Sequence, residues 1–196
     1  MPRKGFLLVL MHPPSTFEEE FNAWYDAEHV PERMSVPGFE TAIRYVSTGP
    51  APRYMAMYDL ARFDVLASDA YQRVGGANAS PWTKRVTARA RVYRSAGEQI
   101  YPGSAPTPIA ARVGLLRFRG VETTAIDGIV TGPRGVFEDR QRDPALRVFA
   151  YKVGHGTDVL AFVAGVAPFS SFSVEAVGEA SRTLDLMNEY VPMPPP

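Results

Sequence analysis

Between Phe21 and Arg33 the chain reads Phe-Asn-Ala-Trp-Tyr-Asp-Ala-Glu-His-Val-Pro-Glu-Arg, a concentration of reactive side chains that a core helix does not need. On a helix at about 100° per residue, Phe17, Phe21 and Trp24 form one stripe, the face expected to lie on a sheet. Asn22, Tyr25 and His29 follow one another along the edge of that stripe, where core gives way to solvent or a cavity. A histidine there is a natural general acid or base near neutral pH. The helix C-terminus, and Asp26 one turn away, both favour its protonated form, so a pKa near 7 is expected. Tyr25 can donate a proton or stabilise an oxyanion, and Asn22 can orient a carbonyl. Arg33 can pair with a carboxylate or enolate. Trp24 and Asp26, with His12 at the end of the first apolar run, complete the expected substrate contacts. The competing reading makes His29 a helix cap, Phe21 and Trp24 core, and Glu28 and Glu32 solvated or paired with Arg33 or Arg44.

The elements that must position this cluster follow from local patterning. Gly5–Met11 is an apolar run that reads as a buried strand. Ser15 or Thr16 caps a helix whose first turn carries Glu18, Glu19 and Glu20, and Pro31 is expected to end or kink it. Strands are predicted at 41–47 and 53–60, joined by Gly49-Pro50-Ala51-Pro52. A helix is predicted from Phe63 to Val74, ended by Gly75-Gly76, and a strand over 86–94, where Val86, Ala88, Ala90 and Val92 alternate with polar residues. Arg89 and Arg91 would then share one strand face. The first half reads βαββαβ. Residues 96–110, rich in proline and glycine, read as a linker. The order then recurs: a strand over 112–119, a helix from Val121 to Arg140 interrupted near Gly132-Pro133, strands over 146–153 and 158–166, a helix over 173–184 and a strand over 185–191. Ile43-Arg44-Tyr45-Val46 matches Phe149-Ala150-Tyr151-Lys152 in strand phase, a repetition of pattern with little identity. The predicted fold class is α+β: two tandem ferredoxin-like βαββαβ units, 1–95 and 111–196, packed sheet to sheet as a pseudo-dimeric barrel.

Composition bounds the chemistry. The 196 residues carry 21 basic and 21 acidic side chains and no cysteine. Zero net charge argues against nucleic acid and acidic membranes as partners. Without cysteine there is no disulfide, thiol nucleophile or cysteine–zinc site, which fits a cytoplasmic location. No run is long enough to span a bilayer, and Arg3-Lys4 before the first apolar run lacks a cleavage site. His12, His29 and His155 lack metal-ligand spacing, and no phosphate or dinucleotide loop occurs, so neither metal nor cofactor is expected. His155 lies in a glycine turn, and Ser170 and Ser171 have no nucleophile context.

The motif Asn22-x-Trp24-Tyr25-x-x-Glu28-His29-x-Pro31-x-Arg33, followed by Pro37-Gly38-Phe39, Arg44-Tyr45 and Tyr54-x-x-x-Tyr58, resembles the EthD-like branch of the dimeric α+β barrel superfamily. The resemblance covers roughly residues 5–95. It implies a barrel around an apolar cavity, walled here by Phe118, Phe137, Phe149 and Phe162, and it matches His29 to the family histidine. Relatives include cofactor-free monooxygenases, cyclases, decarboxylases, dehydratases and isomerases, and some bind haem. The expectation is a cofactor-independent enzyme doing acid–base chemistry on a small hydrophobic or aromatic carbonyl compound. A cofactor-free monooxygenase and a non-catalytic ligand-binding barrel are the alternatives. The second half keeps the pattern and drops the cluster, so a single site is expected. A homodimer is an open option, favoured if strand edges are exposed.

Overall fold

The computed structural model describes residues 2–138, 147–154, 156–169 and 172–194, with the side chains of 134–138 and 147 excepted. Eight strands, β1 (Gly5–His12), β2 (Ile43–Ser47), β3 (Tyr54–Leu60), β4 (Arg91–Tyr101), β5 (Arg112–Phe118), β6 (Arg147–Val153), β7 (Val159–Gly165) and β8 (Leu184–Pro192), close into one barrel. Its order is β1-β3-β2-β8-β5-β7-β6-β4, and every pairing is antiparallel. Each half has the ferredoxin-like order, with its first strand between its third and fourth. The second strand of each half pairs with the fourth of the other, through β2–β8 and β4–β6. Both sheet edges are consumed by these seams, which removes the exposed edges that would drive further strand pairing.

Period-two alternation sorts the strands into layers. On β1, Phe6, Leu8 and Leu10 point into the barrel, where they meet Tyr45, Met57, Leu115, Tyr151, Phe162 and Tyr190. Leu7 and Met11 point outward and join Phe17, Phe21, Trp24, Tyr25 and Tyr58 in a second core under the helices of the first half. A third core covers the outer face of the second half. Because both faces of β1 are covered, its sequence reads as an unbroken apolar run. Tyr45 and Tyr151, matched in phase by the repeat, both face inward. The barrel interior is packed with side chains rather than hollow. Phe149 and Phe162 belong to that packing, Phe118 lies in the outer core of the second half, and the Phe137 side chain falls outside the described residues. The expected apolar cavity is therefore not at the barrel centre.

Several local expectations change. The helix does not stop at Pro31. A 3-10 turn (Ser15–Phe17) leads into α1 (Glu18–Trp24), a π-turn follows over Tyr25–His29, and α2 (Val30–Met34) carries on through the proline. Val30 N–H donates to the carbonyl of Tyr25, five residues back. That wider turn accommodates a proline whose ring would otherwise press on the carbonyl four residues earlier. The 63–74 segment is a 3-10 turn (Phe63–Ala67) followed by a short α3 (Asp69–Arg73).

The predicted strand over 86–94 is largely helix. Ser80 caps α4 (Pro81–Arg89) by accepting from Thr83 N–H, with Pro81 in the first helical position, and β4 begins only at Arg91. Thr83 and Val86, three apart and both buried, mark its inner face. Arg89 consequently leaves the strand and sits over the Phe17 ring at 5.0 Å. β4 continues to Tyr101 and takes in the first residues of the expected linker. The rest of that segment is pinned at the barrel end: Thr107 donates through its backbone N–H and its hydroxyl to Asp59, each at 2.7 Å, and Gln99 bonds Ala105 in both directions.

In the second half α5 (Ile126–Glu138) runs through Gly132-Pro133 without a break. Its glycines serve close packing, since a Cβ on Gly132 would lie 2.2 Å from the Ala176 carbonyl oxygen. Residues Val174–Thr183 form a 3-10 segment broken at Gly178, whose φ is 61°. His155, Ser170 and Ser171 lie outside the described residues. Among the described residues no helix is long and apolar enough to cross a membrane, and no group of three histidine or acidic side chains could hold a metal ion.

Candidate functional site

The site lies outside the barrel wall, on the face that the first half turns toward its helices. A cavity of about 500 Å³ opens between the outer surface of β1 and β4, the α1–α2 helix, α3 and α4. Trp24, Tyr25, His29 and Arg33 line it from one side, Tyr71, Gly75 and Gly76 from another, and Thr83, Arg94 and Leu7 complete the wall.

The π-turn creates this grouping. Trp24 and His29 are five residues apart and would stand about 140° apart on an α-helix. In the wider turn the imidazole instead stacks on the indole, with centroids 4.2 Å apart and planes 29° apart, and meets Tyr25 edge-on at 5.3 Å. Trp24 is fixed from behind. Its indole N–H donates to Thr83 Oγ1 at 3.0 Å, Thr83 Oγ1 donates to Glu28 Oε1 at 3.1 Å, and Ser80 Oγ donates to the same carboxylate oxygen. Glu28, expected in solvent or beside an arginine, thus ties the reactive helix to the start of α4. We expect Thr83→Val to cost about 1–3 kcal/mol by stranding the indole N–H, read as a lower thermal midpoint.

His29 is half-buried, and its Nδ1 is shut off from solvent with no hydrogen-bond partner. Burial first, and then the positive charges of Arg33 and Arg44, lower its pKa to about 3. The expected support from Asp26 is missing because Asp26 turns away to Arg44. His29 is therefore neutral at physiological pH, not poised near 7. The unfolded imidazole gains a proton below about pH 6.5 while the folded one does not, so its contribution is intact above that pH and declines as pH falls. The stability lost by pH 5 should be about 2 kcal/mol. Denaturant unfolding of His29→Gln should show a correspondingly flatter acid slope.

Arg33 is 5% exposed. Its Nη2 donates to the Val74 carbonyl at 2.8 Å and stands 3.5 Å from Glu32 Oε2, and its guanidinium lies over the Tyr71 ring at 5.1 Å. Nη1 is buried and has no partner. The Tyr25 hydroxyl, raised by burial to about 12, stays protonated, neighbours the Tyr58 hydroxyl and donates to Met11 Sδ at 3.4 Å, a weak acceptor it can exchange for a ligand oxygen.

The other expected residues lie elsewhere. Asn22 and Asp26 both receive hydrogen bonds from Arg44, whose guanidinium covers the opposite face of Tyr25 at 4.4 Å, and Asn22 also donates to Tyr54. They brace the helix from the side away from the cavity. His12 closes the inward face of β1 at the barrel mouth, in a separate pocket of about 220 Å³ with Arg91, Tyr93 and Arg117.

Solved structures align with almost the whole chain. An anthrone oxidase-like protein matches with a TM-score of 0.66 at 8% identity, over 99% of this chain and 92% of the other. A protein from Lactobacillus acidophilus, provisionally assigned as a monooxygenase, gives 0.57 at 6% identity, over 97% and 93%. A heme-binding protein from Thermus thermophilus gives 0.61 at 13% identity, over 99% and 92%. The chain is an α+β barrel of two ferredoxin-like units closed within one polypeptide, the fold it shares with these structures. No family model and no curated protein matches its sequence, so the likeness defines the fold of this barrel and not its EthD-like branch.

The described residues that line this cavity do not fit haem. A histidine that ligates iron has its second ring nitrogen held by a carboxylate, carbonyl or water. His29 is the described histidine in the cavity, and its buried Nδ1 has no such partner. Sequence reading had missed Thr83, Glu28 and Tyr71 as parts of the barrel's site. The available signal was Ser80-Pro81, a helix-start pair that places Thr83 one turn into α4.

Proposed function

We propose that the cavity is the active site of a cofactor-independent enzyme acting on a small hydrophobic or aromatic carbonyl compound, with His29 as general base. The observation that carries this reading is a neutral imidazole whose buried Nδ1 has no partner and a partnerless guanidinium donor in one aromatic-walled cavity. His29 takes a proton from the substrate, Arg33 faces the negative charge that develops, and the Tyr25 hydroxyl donates to the substrate oxygen. Trp24 stacks against the imidazole and fixes its plane. The outcome is cyclisation, isomerisation, dehydration or decarboxylation, according to which bond the carbanion expels or forms. Asn22 and Asp26 support these groups through Arg44 rather than touching substrate.

The same residues suit a cofactor-free monooxygenase equally well, and the oxidase-like and monooxygenase-like names among the structural neighbours favour giving it equal standing. In that case the substrate anion formed by His29 reduces oxygen directly. Turnover under strict anaerobiosis separates the two: undiminished product supports the acid–base reaction, and loss of product supports the oxygenase. In either case His29 is unprotonated in the free enzyme across the neutral range, so kcat/KM should show no acid limb between about pH 5 and 8. A limb near pH 6.5 would show that His29 keeps its ordinary pKa and is not held neutral by burial.

A further inference from the structure

Positive charge is unevenly distributed over the cavity wall. Arg33, Lys84 and Arg94 line it, and among the described residues no carboxylate does, in a chain whose acidic and basic residues are equal in number. Lys84 and Arg94 stand near the opening, where Lys84 donates to the Ala77 carbonyl and Arg94 to the Tyr71 hydroxyl. Arg33 is different because it is buried. Its one close carboxylate, on Glu32, approaches Nη2 and leaves Nη1 facing the cavity side of Gly75 with nothing to donate to. A Cβ at Gly75 would come 3.9 Å from that Nη1, ordinary contact distance, which places the donor beside this glycine of the cavity wall. A buried guanidinium with an idle donor costs stability and is relieved by an acceptor that arrives with the ligand. The surrounding surface is the indole of Trp24 and the rings of Tyr25 and Tyr71, which suit a flat aromatic body.

We propose that the ligand enters as an aromatic carboxylate, its carboxylate seated on Arg33 Nη1 and its ring between Trp24 and Tyr71. The proposal rests on the functional reading above only in using the same cavity. Lys84 and Arg94 face the same cavity, and Glu28 and Glu32 are engaged by Ser80, Thr83 and Arg33.

The test compares 2-naphthoate with its neutral isostere 2-naphthamide by titration calorimetry on the intact protein. The expected result is that naphthoate binds at least about tenfold more tightly than the amide, the size of one charge-assisted hydrogen bond. Arg33→Met should abolish the preference while Arg33→Lys keeps part of it. Equal affinity for acid and amide, or binding of neither, would overturn the proposal, whether or not Arg33→Met folds. His29→Gln separates this seat from the functional reading: retained preference for naphthoate in a variant with full turnover would leave the anion seat standing and remove the general base.

Discussion

Turnover by His29→Gln should fall by about 10²–10⁴-fold, the usual worth of a positioned general base, with little change in fold. Glutamine keeps a similar volume and can still lie against the Trp24 indole, so the variant tests proton transfer and not packing. Because the resting imidazole is neutral, the loss should be of the same size at pH 6 and pH 8. Asn22→Ala and Asp26→Ala provide the contrast. Both residues are bound to Arg44 on the far side of Tyr25, so each should lose less than about tenfold, and through the position of Tyr25 alone. Steady-state kinetics with one carbonyl substrate decides the matter, and unchanged turnover in His29→Gln would leave the barrel as a binding protein.

A second large effect is expected far from the cavity. Gly97 sits where β4 meets β6, and a Cβ there would stand 1.9 Å from the Lys152 carbonyl oxygen and 2.7 Å from the Gly154 nitrogen. Neither contact is with a flexible side chain, so the seam itself must open. Gly97→Val should therefore destabilise the fold by more than about 4 kcal/mol, the range reserved for changes with no local escape. The prediction is checked by urea unfolding. A midpoint equal to that of the parent would mean that the β4–β6 seam contributes nothing to the closed barrel. Opening the seam would also release β4, one wall of the cavity, so lost stability and lost activity should travel together in this variant and separately in His29→Gln.

The repeat was legible because strand patterning is local: a continuous apolar run at β1 and the matched phases of Tyr45 and Tyr151 each report the environment of one strand. The site was only partly legible because its geometry depends on a departure from the regular helix. Counting at 100° per residue puts Trp24 and His29 on different stripes, whereas the π-turn stacks them. Pro31 was the visible sign of irregularity, and it signalled a widened turn instead of an end. The strand read over 86–94 failed for a different reason. Alternation of Val86, Ala88, Ala90 and Val92 fits a strand, but the Ser80 cap and Pro81 start a helix that consumes half of those positions. The charge state of His29 was out of reach altogether, since it is set by burial and by Arg33 and Arg44, and the folded chain alone brings those together.

Closing the barrel within one polypeptide has a consequence for how ligands are counted. A barrel made from two identical chains carries two equivalent cavities related by its axis, and each can sense whether the other is filled. Here the outer face of the second half is occupied by Phe118, Ile129, Phe169 and Val177, with Gly128 and Gly132 drawing α5 down onto the neighbouring segment. Among the described residues that face is packed and carries no counterpart of the Trp24–His29 stack. Homotropic cooperativity needs at least two coupled sites, so saturation of this protein should be hyperbolic, with one ligand per chain.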